Sequence, residues 1–308
     1  MSTLLVHHPI FLQHATPEGH PECPDRIRAI DRALEEERFH GLEREAARSV
    51  DLAAILRVHP QDYVDQLREA SPEEGLIFLD GDTAMGPKSL DAALYACGAA
   101  TLAVDEVMTG KVKNAFCALR PPGHHAEARR AMGFCLFNNA AVAARHAQAV
   151  HGAERVAIVD FDVHHGNGTQ DIFWSDPSVL YASTHQSPLF PGTGTAAEQG
   201  VGNIVNVPLH AGDDGLVFRE AMESEVLPRV AAFHPDLLVI SAGFDAHIRD
   251  PLGEMRLTEA DFAWITERLM EIAARRCAGR VVSVLEGGYD LTALARSVAT
   301  HVATLMTA

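Results

Sequence analysis

Residues 159–168 read VDFDVHHGNG, and the apolar run RVAIV leads into them. A short apolar run of this kind is typical of a buried strand, and this one ends abruptly in aspartate, histidine and glycine. Because side chains alternate along a strand, Asp160, Asp162 and His164 are expected to point to the same side. Carboxylates in such a place are costly without a metal or hydrogen-bonding partner, so the stretch predicts a metal site at a strand end. The alternative is a polar strand end with Asn167 as the N-cap of the next helix.

A second apolar run, residues 114–119, leads into the sequence RPPGHHA. Its prolines and glycine predict a rigid turn that presents two adjacent imidazoles, His124 and His125. Adjacent histidines on such a turn are expected to diverge. This favours shared acid–base work over joint binding of one metal.

Two later strands end in polar residues in the same manner. Residues 236–241 lead to Asp245, and residues 280–285 lead to the sequence EGGY. The paired glycines allow a close backbone approach that aims Tyr289 into the crevice. Since open α/β sheets place their ligands at the carboxyl ends of strands, the polar groups of all four runs are expected to form one site.

The rest of the chain alternates helical patterns with short β-rich runs. No Ser/Gly-rich linker, charge block or low-complexity tract divides it, so residues 1–308 are predicted to form a single domain. The alternation predicts an α/β fold with a mainly parallel central sheet and helices on both faces. Helices are predicted over 24–38, 60–68, 87–108, 139–150, 216–233, 258–276 and 291–305, and strands over 4–7, 115–119, 156–160, 179–183, 204–208, 237–241 and 281–285.

Composition limits the function classes. A formal net charge of −17 argues against DNA or RNA as a direct substrate and suits a basic partner such as a lysine-rich peptide or a polyamine. The five cysteines are odd in number and lack CxxC spacing, which favours reduced core residues. The first residues lack the basic flank of a signal peptide, and no apolar run reaches the roughly 18 residues of a membrane span. A cytoplasmic protein without membrane contact is therefore expected.

Six motifs occur together and in a fixed order: RPPGHHA, GFCLFNNAAVAA, VDFDVHHGNGTQ, FPGTG, SAGFDAH and LEGGYD. With them the chain resembles the zinc-dependent deacetylases of the histone deacetylase and acetylpolyamine amidohydrolase superfamily. The likeness extends from the HPE sequence at His20 to Tyr289, nearly the whole length. Asn167 and Glu286 resemble the class II branch, since class I members typically carry aspartate and glycine there. The resemblance implies the arginase-like form of the α/β fold.

The resemblance assigns the metal to three residues. Asp162, His164 and Asp245 would hold one catalytic ion, zinc or iron(II), with open positions for water and a substrate carbonyl. Relatives also bind a monovalent cation, which implies a potassium site made by Asp160, Ser183, Thr184 and the backbone carbonyls of Asp162 and His164.

The acid–base roles follow from the same motifs. His125 is expected to be the general base and His124 its electrostatic partner. Asp160 would accept a hydrogen bond from His124, and Asn167 would accept one from His125. As a neutral acceptor, Asn167 should raise the pKa of His125 less than a carboxylate would. Tyr289 would donate a hydrogen bond to the tetrahedral oxyanion.

A substrate tunnel is implied by two aromatic residues that flank an acyl-lysine-like chain in relatives. These are Phe134, which follows Gly133, and Phe190; without the family match, both phenylalanines would be interpreted as core residues. Leu252 is expected at the rim, where polyamine-selective relatives carry a glutamate, and Arg26 in an internal cavity for acetate. The apolar rim favours acyl-lysine substrates over acetylpolyamines, although both, and other small amides, remain open.

Two alternatives compete with the deacetylase. Arginase-like ureohydrolases share the fold but hold two manganese ions with extra bridging carboxylates, and the corresponding positions here are Gly166 and Gly243. A module that binds acyl-lysine or polyamine without hydrolysis would lack a ligand, the histidine pair or the tyrosine, and all of these are present. The sequence does not give the oligomeric state.

Overall fold

The computed structural model describes residues 2–307 of the chain, and its strands form one large sheet and one small one. The strands are β1 Thr3–His7, β2 Glu43–Ala46, β3 Ile77–Phe78, β4 Ala84–Met85, β5 Asn114–Cys117, β6 Val156–Asp160, β7 Val179–Gln186, β8 Ile204–Leu209, β9 Leu237–Ala242 and β10 Val281–Leu285. The large sheet has the order β2-β1-β5-β10-β9-β6-β7-β8, and every neighbouring pair in it is parallel. Strands β3 and β4 form a separate antiparallel pair.

The central strands are buried along their whole length. Every residue of β5, β6, β9 and β10 is buried, which requires helices over both faces of the sheet. On these faces α4 packs against α5, and α10 packs against α1 and α9. The helices are α1 Asp25–Ala33, α2 Leu52–Ile55, α3 Gln61–Ala70, α4 Ser89–Met108, α5 Asn139–His151, α6 Asn167–Phe173, α7 Gly215–Ala221, α8 Leu227–Phe233, α9 Glu259–Arg276 and α10 Leu291–Thr307. The predicted α/β fold with a mainly parallel sheet and helices on both faces is thus confirmed.

Strands β3 and β4 and helices α2 and α6 were not predicted, and two further differences have a clear physical reason. The helix predicted over 216–233 is interrupted by a π-helical turn at Met222–Val226. Pro228 lies in the first turn of α8 and has no N–H to continue the helical hydrogen bonds, so the chain changes its bonding pattern just before it. Strand β2 was not predicted, because its sequence EREA is largely exposed and charged, as suits a sheet edge.

The strand order brings the polar strand ends together. Strands β5, β10, β9, β6 and β7 are consecutive neighbours, and parallel strands end at the same edge of a sheet. Within this edge, Asp160 of β6 pairs with Ser183 of β7 and Ser241 of β9. The predicted site residues that follow these strands are therefore adjacent in space. Across residues 2–307, no helix combines the length and apolar character needed to cross a membrane.

Candidate active site

A compact group of three metal-binding side chains lies at the ends of β6 and β9. The Nδ1 atom of His164 is 3.1 Å from a carboxylate oxygen of Asp162 and 3.1 Å from one of Asp245. Both carboxylates are fully buried. Burial and the charge of Asp162 raise the pKa of Asp245 to about 7. Burial alone would lower the pKa of His164, but the two carboxylates raise it to about 10. The pocket thus favours a positive charge, and its two carboxylates and one imidazole fit a divalent transition-metal ion.

Glycines line this group where the backbone comes close to it. A Cβ atom on Gly243 would clash with the carboxylate of Asp162, and one on Gly287 would clash with that of Asp245. The amide of Gly287 also donates a hydrogen bond of 2.8 Å to Asp162. A Cβ on Gly166 would clash with Asp160 and with a tyrosine hydroxyl. The two bridging carboxylates of a ureohydrolase therefore have no room in this backbone.

His124 lies beside the metal-binding group and against a carboxylate. Its Nδ1 is 3.0 Å from Asp160, and its Nε2 is 3.9 Å from Asp162. Burial opposes the charged ring, but the carboxylates of Asp162 and Asp160 raise the pKa of His124 well above its usual range. The rings of His124 and His125 lie side by side with centroids 4.0 Å apart, so the expected divergence of the pair is wrong. The two rings differ instead in their hydrogen-bond partners, which are Asp160 for His124 and Asn167 for His125.

His125 is held in one tautomer by a chain of hydrogen bonds. Its Nδ1 is 2.9 Å from Oδ1 of Asn167, whose amide nitrogen donates a 2.9 Å hydrogen bond to Glu127. Because Glu127 accepts from that nitrogen, the oxygen of Asn167 faces His125 and must accept a proton from Nδ1. The Nε2 atom of His125 then carries the free lone pair. Burial and the neighbouring histidines lower the pKa of His125 well below its usual range, so the ring is neutral.

Tyr289 is fixed through its backbone and is flanked by a cation. Its amide donates a 2.7 Å hydrogen bond to Asp250, a carboxylate that also accepts from the amide of Leu252 at 2.9 Å. The guanidinium of Arg26 lies over the phenol ring, 5.0 Å from its centroid. Burial and the charge of Asp245 raise the pKa of Tyr289 well above its usual range. The phenol therefore keeps its proton and can donate it in a hydrogen bond.

The site opens into a cavity of about 240 Å³. Phe134 has a left-handed backbone with φ of 70°, and Gly133 before it has room for no side chain because a Cβ would strike the ring of His125. Phe190 is 40% exposed and its ring centroid is 5.1 Å from that of His125, so it is not a core residue. The cavity contains every predicted tunnel residue, and its lining consists of Asp82, His125, Gly133, Phe134, His164, Leu189, Phe190, Leu252 and Tyr289.

Comparison with known proteins gives this site a family. A model described as the histone deacetylase domain matches residues 20–305 of the chain. The chain belongs to the histone deacetylase family. It is 40% identical to Histone deacetylase 14, chloroplastic, of Arabidopsis thaliana, an alignment that covers 92% of this chain and 72% of that protein. It is 39% identical to the Histone deacetylase-like amidohydrolase of Pseudomonas aeruginosa, over 91% of this chain and 75% of the relative.

The structure of the chain also matches a solved structure of the family closely. The crystal structure of the HDA15 HD domain superposes with a TM-score of 0.95 at 40% identity, and the match covers 99% of this chain and 88% of that one. The arginase-like fold implied by the sequence motifs is thereby confirmed. The function of the chain is of the deacetylase and amidohydrolase kind that its relatives share.

The residues assigned to a potassium site lie on or just after the adjacent strands β6 and β7, where Asp160 contacts His124. Asp160 accepts hydrogen bonds from Tyr181 at 2.9 Å and from the amide of Asp162 at 3.1 Å. The hydroxyl of Ser183 is 2.9 Å from Nδ1 of His185, a contact that the sequence did not suggest. Thr184 is buried, and its hydroxyl has no hydrogen-bond partner among residues 2–307. The structure brings these residues together, and potassium itself stays a prediction.

Besides Glu127, three positioning carboxylates were not predicted as site residues. Glu286 accepts hydrogen bonds from the amides of Gly123 and His124, at 2.7 and 3.1 Å, and burial raises its pKa to about 7. Asp250 ties the rim loop to Tyr289, as described above. Glu22 is fully buried between Arg26 and a second arginine, and Arg26 donates to the carbonyl oxygen of Gly288 at 2.7 Å. The signal for each was an acidic residue inside a motif, namely EGGY, DPLG and HPE.

Proposed function

We propose that the chain is a zinc-dependent amidohydrolase that removes acetyl or other short acyl groups from acyl-lysine-type amides. The observation that carries the proposal is the fixed tautomer of His125. His125, with Nε2 free, lines a cavity that is also lined by Tyr289 and the proposed metal ligand His164. A base, a hydrogen-bond donor and a Lewis-acid site in one cavity are what amide hydrolysis by water requires.

A zinc ion held by Asp162, His164 and Asp245 would polarise the amide carbonyl and acidify a water molecule. His125 is neutral and would accept the proton of the attacking water through Nε2. Its Nδ1 proton, bound to Asn167, keeps the ring oriented while Nε2 becomes charged. The same Nε2–H can then protonate the departing amine, so that one ring serves both proton transfers.

Two further groups act on the developing negative charge. Tyr289 would donate its phenolic proton in a hydrogen bond to the carbonyl oxygen as that oxygen becomes an oxyanion. His124 is held as a cation by Asp160 and would stabilise the same region of charge. Asp250 and Arg26 position Tyr289 for this contact and touch no reacting atom themselves.

The acyl-lysine substrate class is proposed from the cavity walls. Phe134 and Phe190 offer apolar rings to a methylene chain, and Leu252 offers an apolar rim. The carboxylate of Asp82 also lines the cavity, which the sequence did not suggest. Burial and a hydrogen bond with Asp80 raise the pKa of Asp82. Beside this carboxylate, the side chains of Phe134, Leu189, Phe190 and Leu252 form the apolar part of the lining.

The function is tested by a kinetic panel on zinc-loaded protein. Acyl-lysine peptides and acylated polyamines would be compared by the release of free amine and free acid. We expect hydrolysis of acetyl-lysine peptides with the highest kcat/KM. Binding of these peptides without any release of acid would instead identify the non-hydrolytic module. A cytoplasmic location and a structural potassium ion are part of the same proposal, as is the absence of nucleic-acid substrates on an acidic chain.

Replacement of Tyr289 with phenylalanine is expected to lower kcat by about 10²–10³-fold. The ring would still fill its place beside Arg26, so KM and metal content should change little. Steady-state kinetics on an acetyl-lysine peptide together with elemental analysis measure both effects. Tyr95→Phe is the matched control, since Tyr95 contacts His8 away from the cavity. Full activity of Tyr289→Phe would exclude the oxyanion role.

Replacement of Leu252 with glutamate is expected to shift selectivity towards acetylpolyamines by about five- to tenfold. The reason is that one charge pair near the surface contributes about 1 kcal/mol. The ratio of kcat/KM for an acetyl-lysine peptide and acetylspermidine measures the shift, with Leu252→Gln as a polar control without charge. If wild-type protein already prefers acetylspermidine, the acyl-lysine assignment is wrong and the amidohydrolase assignment stands.

A further inference from the structure

A second group of metal-binding side chains lies between helices α4 and α5. Asp105 belongs to α4, and His146 and His151 belong to α5. The Nε2 atoms of both histidines lie 2.7 Å from the same carboxylate oxygen, Oδ1 of Asp105. One donor atom from each of the three residues lies within 4.8 Å of the other two. Two imidazole nitrogens and a carboxylate oxygen thus converge on one point.

This group is separate from the candidate active site. Helix α5 begins at Asn139, whose side chain donates to the carbonyl oxygen of Pro121 in the histidine-bearing turn. The helix then runs away from that turn to its last residue, His151. Thirteen helical residues extend about 18 Å along the axis. His146 and His151 therefore lie about 10 and 18 Å along the helix from Asn139, and no ligand can be shared with the catalytic ion.

We propose that Asp105, His146 and His151 bind one zinc or similar late transition-metal ion, which fastens the end of α5 to α4. Two imidazoles and one carboxylate are ligands that zinc, nickel and copper favour over magnesium or calcium, which prefer sets made only of oxygen atoms. The fourth position would be taken by water, because the carboxylate of Asp105 faces solvent with 43% of its side chain exposed.

The geometry needs only a small adjustment. With metal–ligand bonds of about 2.0 Å, tetrahedral donors are about 3.3 Å apart, so each Nε2 must move roughly half an ångström from Oδ1. The two rings are 13% and 15% exposed and are held by their packing, whereas Asp105 can shift towards solvent. The carboxylate is already ionised, since hydrogen bonds from His151 and His146 lower its pKa against the effect of partial burial.

The metal-free cluster has an unsatisfied atom. Both Nε2 atoms must carry protons to bond the carboxylate, which leaves Nδ1 of His146 as an acceptor. That Nδ1 is buried and has no hydrogen-bond partner among residues 2–307. With a metal on Nε2, the Nδ1–H of His146 would also lack an acceptor. A hydrogen bond from the second nitrogen of a ligand histidine raises metal affinity by about 10–100-fold. The new site should therefore bind zinc at least about 10-fold more weakly than the catalytic site.

The test is a zinc titration of untagged protein whose catalytic site has already been loaded with one equivalent. Calorimetry is expected to show a second equivalent bound, and saturating zinc should raise Tm by about 3–5 °C. The double variant His146→Ala/His151→Ala should lose both effects and keep the first equivalent. The double variant His40→Ala/His210→Ala is the matched control, because both residues are exposed and lie outside the cluster. It should behave as wild type.

Asp105→Asn keeps the shape of the cluster and removes its charged oxygen, so it tests the site without removing a ring. It should weaken the second equivalent and leave Tm in the absence of added zinc nearly unchanged. Saturation of the wild type at one equivalent would overturn the proposal. So would a second equivalent that survives the loss of both histidines. Because none of these readouts is catalytic, failure of this site is distinct from failure of the proposed amidohydrolase.

Discussion

Asp245→Ala is expected to lose the catalytic metal ion and the amidase activity together. Asp245 is one of the three proposed ligands, and its carboxylate contacts both His164 and the amide of Val163, the latter at 2.9 Å. Two remaining ligands are too few for a stable zinc site. Elemental analysis after gel filtration should find about one ion per chain in the wild type and none at this site in the variant, with turnover at the level of the uncatalysed reaction.

Two controls separate metal loss from misfolding. Asp245→Asn keeps the volume and an acceptor for Val163, yet weakens the ligand, so it should bind metal poorly while retaining the circular dichroism of the wild type. Asp65→Ala removes an exposed carboxylate that pairs with Arg68 and a neighbouring glutamine, and it should leave metal and activity unchanged. Retention of metal and turnover by Asp245→Ala would contradict the assignment of the ligands.

His125→Ala is expected to keep the metal and lose nearly all turnover. General acid–base catalysis contributes about 10²–10⁴-fold, and here one ring would perform both proton transfers. The ligands Asp162 and Asp245 do not contact this ring in hydrogen bonds, so metal content should stay at the wild-type value. The measurement is kcat on an acetyl-lysine peptide alongside elemental analysis. His210→Ala, with a side chain 82% exposed, is the matched control.

The pH profile provides an independent check on the same base. A carboxylate in place of Asn167 would favour the charged ring, so Asn167→Asp should raise the pKa of His125. The base is active only when neutral, and the acid limb of kcat/KM should therefore move to higher pH in the variant. Movement to lower pH, or no movement with full activity, would show that His125 is not the base.

Much of the candidate site could be predicted because its residues follow strands in strictly local patterns. The motif around Asp162 and His164 indicates where the strand ends, and it places the two proposed metal ligands two residues apart. Parallel pairing then requires that consecutive strand ends meet, which is why Asp245 and Tyr289 could be assigned to the same place without any knowledge of the strand order.

The positioning residues could not be predicted in the same way. Glu127 matters because its carboxylate selects the orientation of the Asn167 amide, a contact between residues 40 positions apart. Asp250 matters because two separate loops donate backbone N–H groups to it. Both effects depend on the direction of side chains after folding, and an acidic residue in a motif does not reveal that direction in the sequence. The prediction that His124 and His125 diverge was wrong for the same reason, because packing in the folded protein sets the distance between the two rings.

The glycines at the metal site restrict how this protein can change during evolution. Gly166 and Gly243 stand where a dinuclear enzyme of similar architecture would need carboxylates, and the backbone at both positions is too near other side chains to accept even a methyl group. No single codon change can therefore convert one chemistry into the other, since the first added side chain would displace an existing ligand or its partner. Passage between the two would require the side chains of Asp160, Tyr181 and Asp162 to move away from these positions as the carboxylates are added.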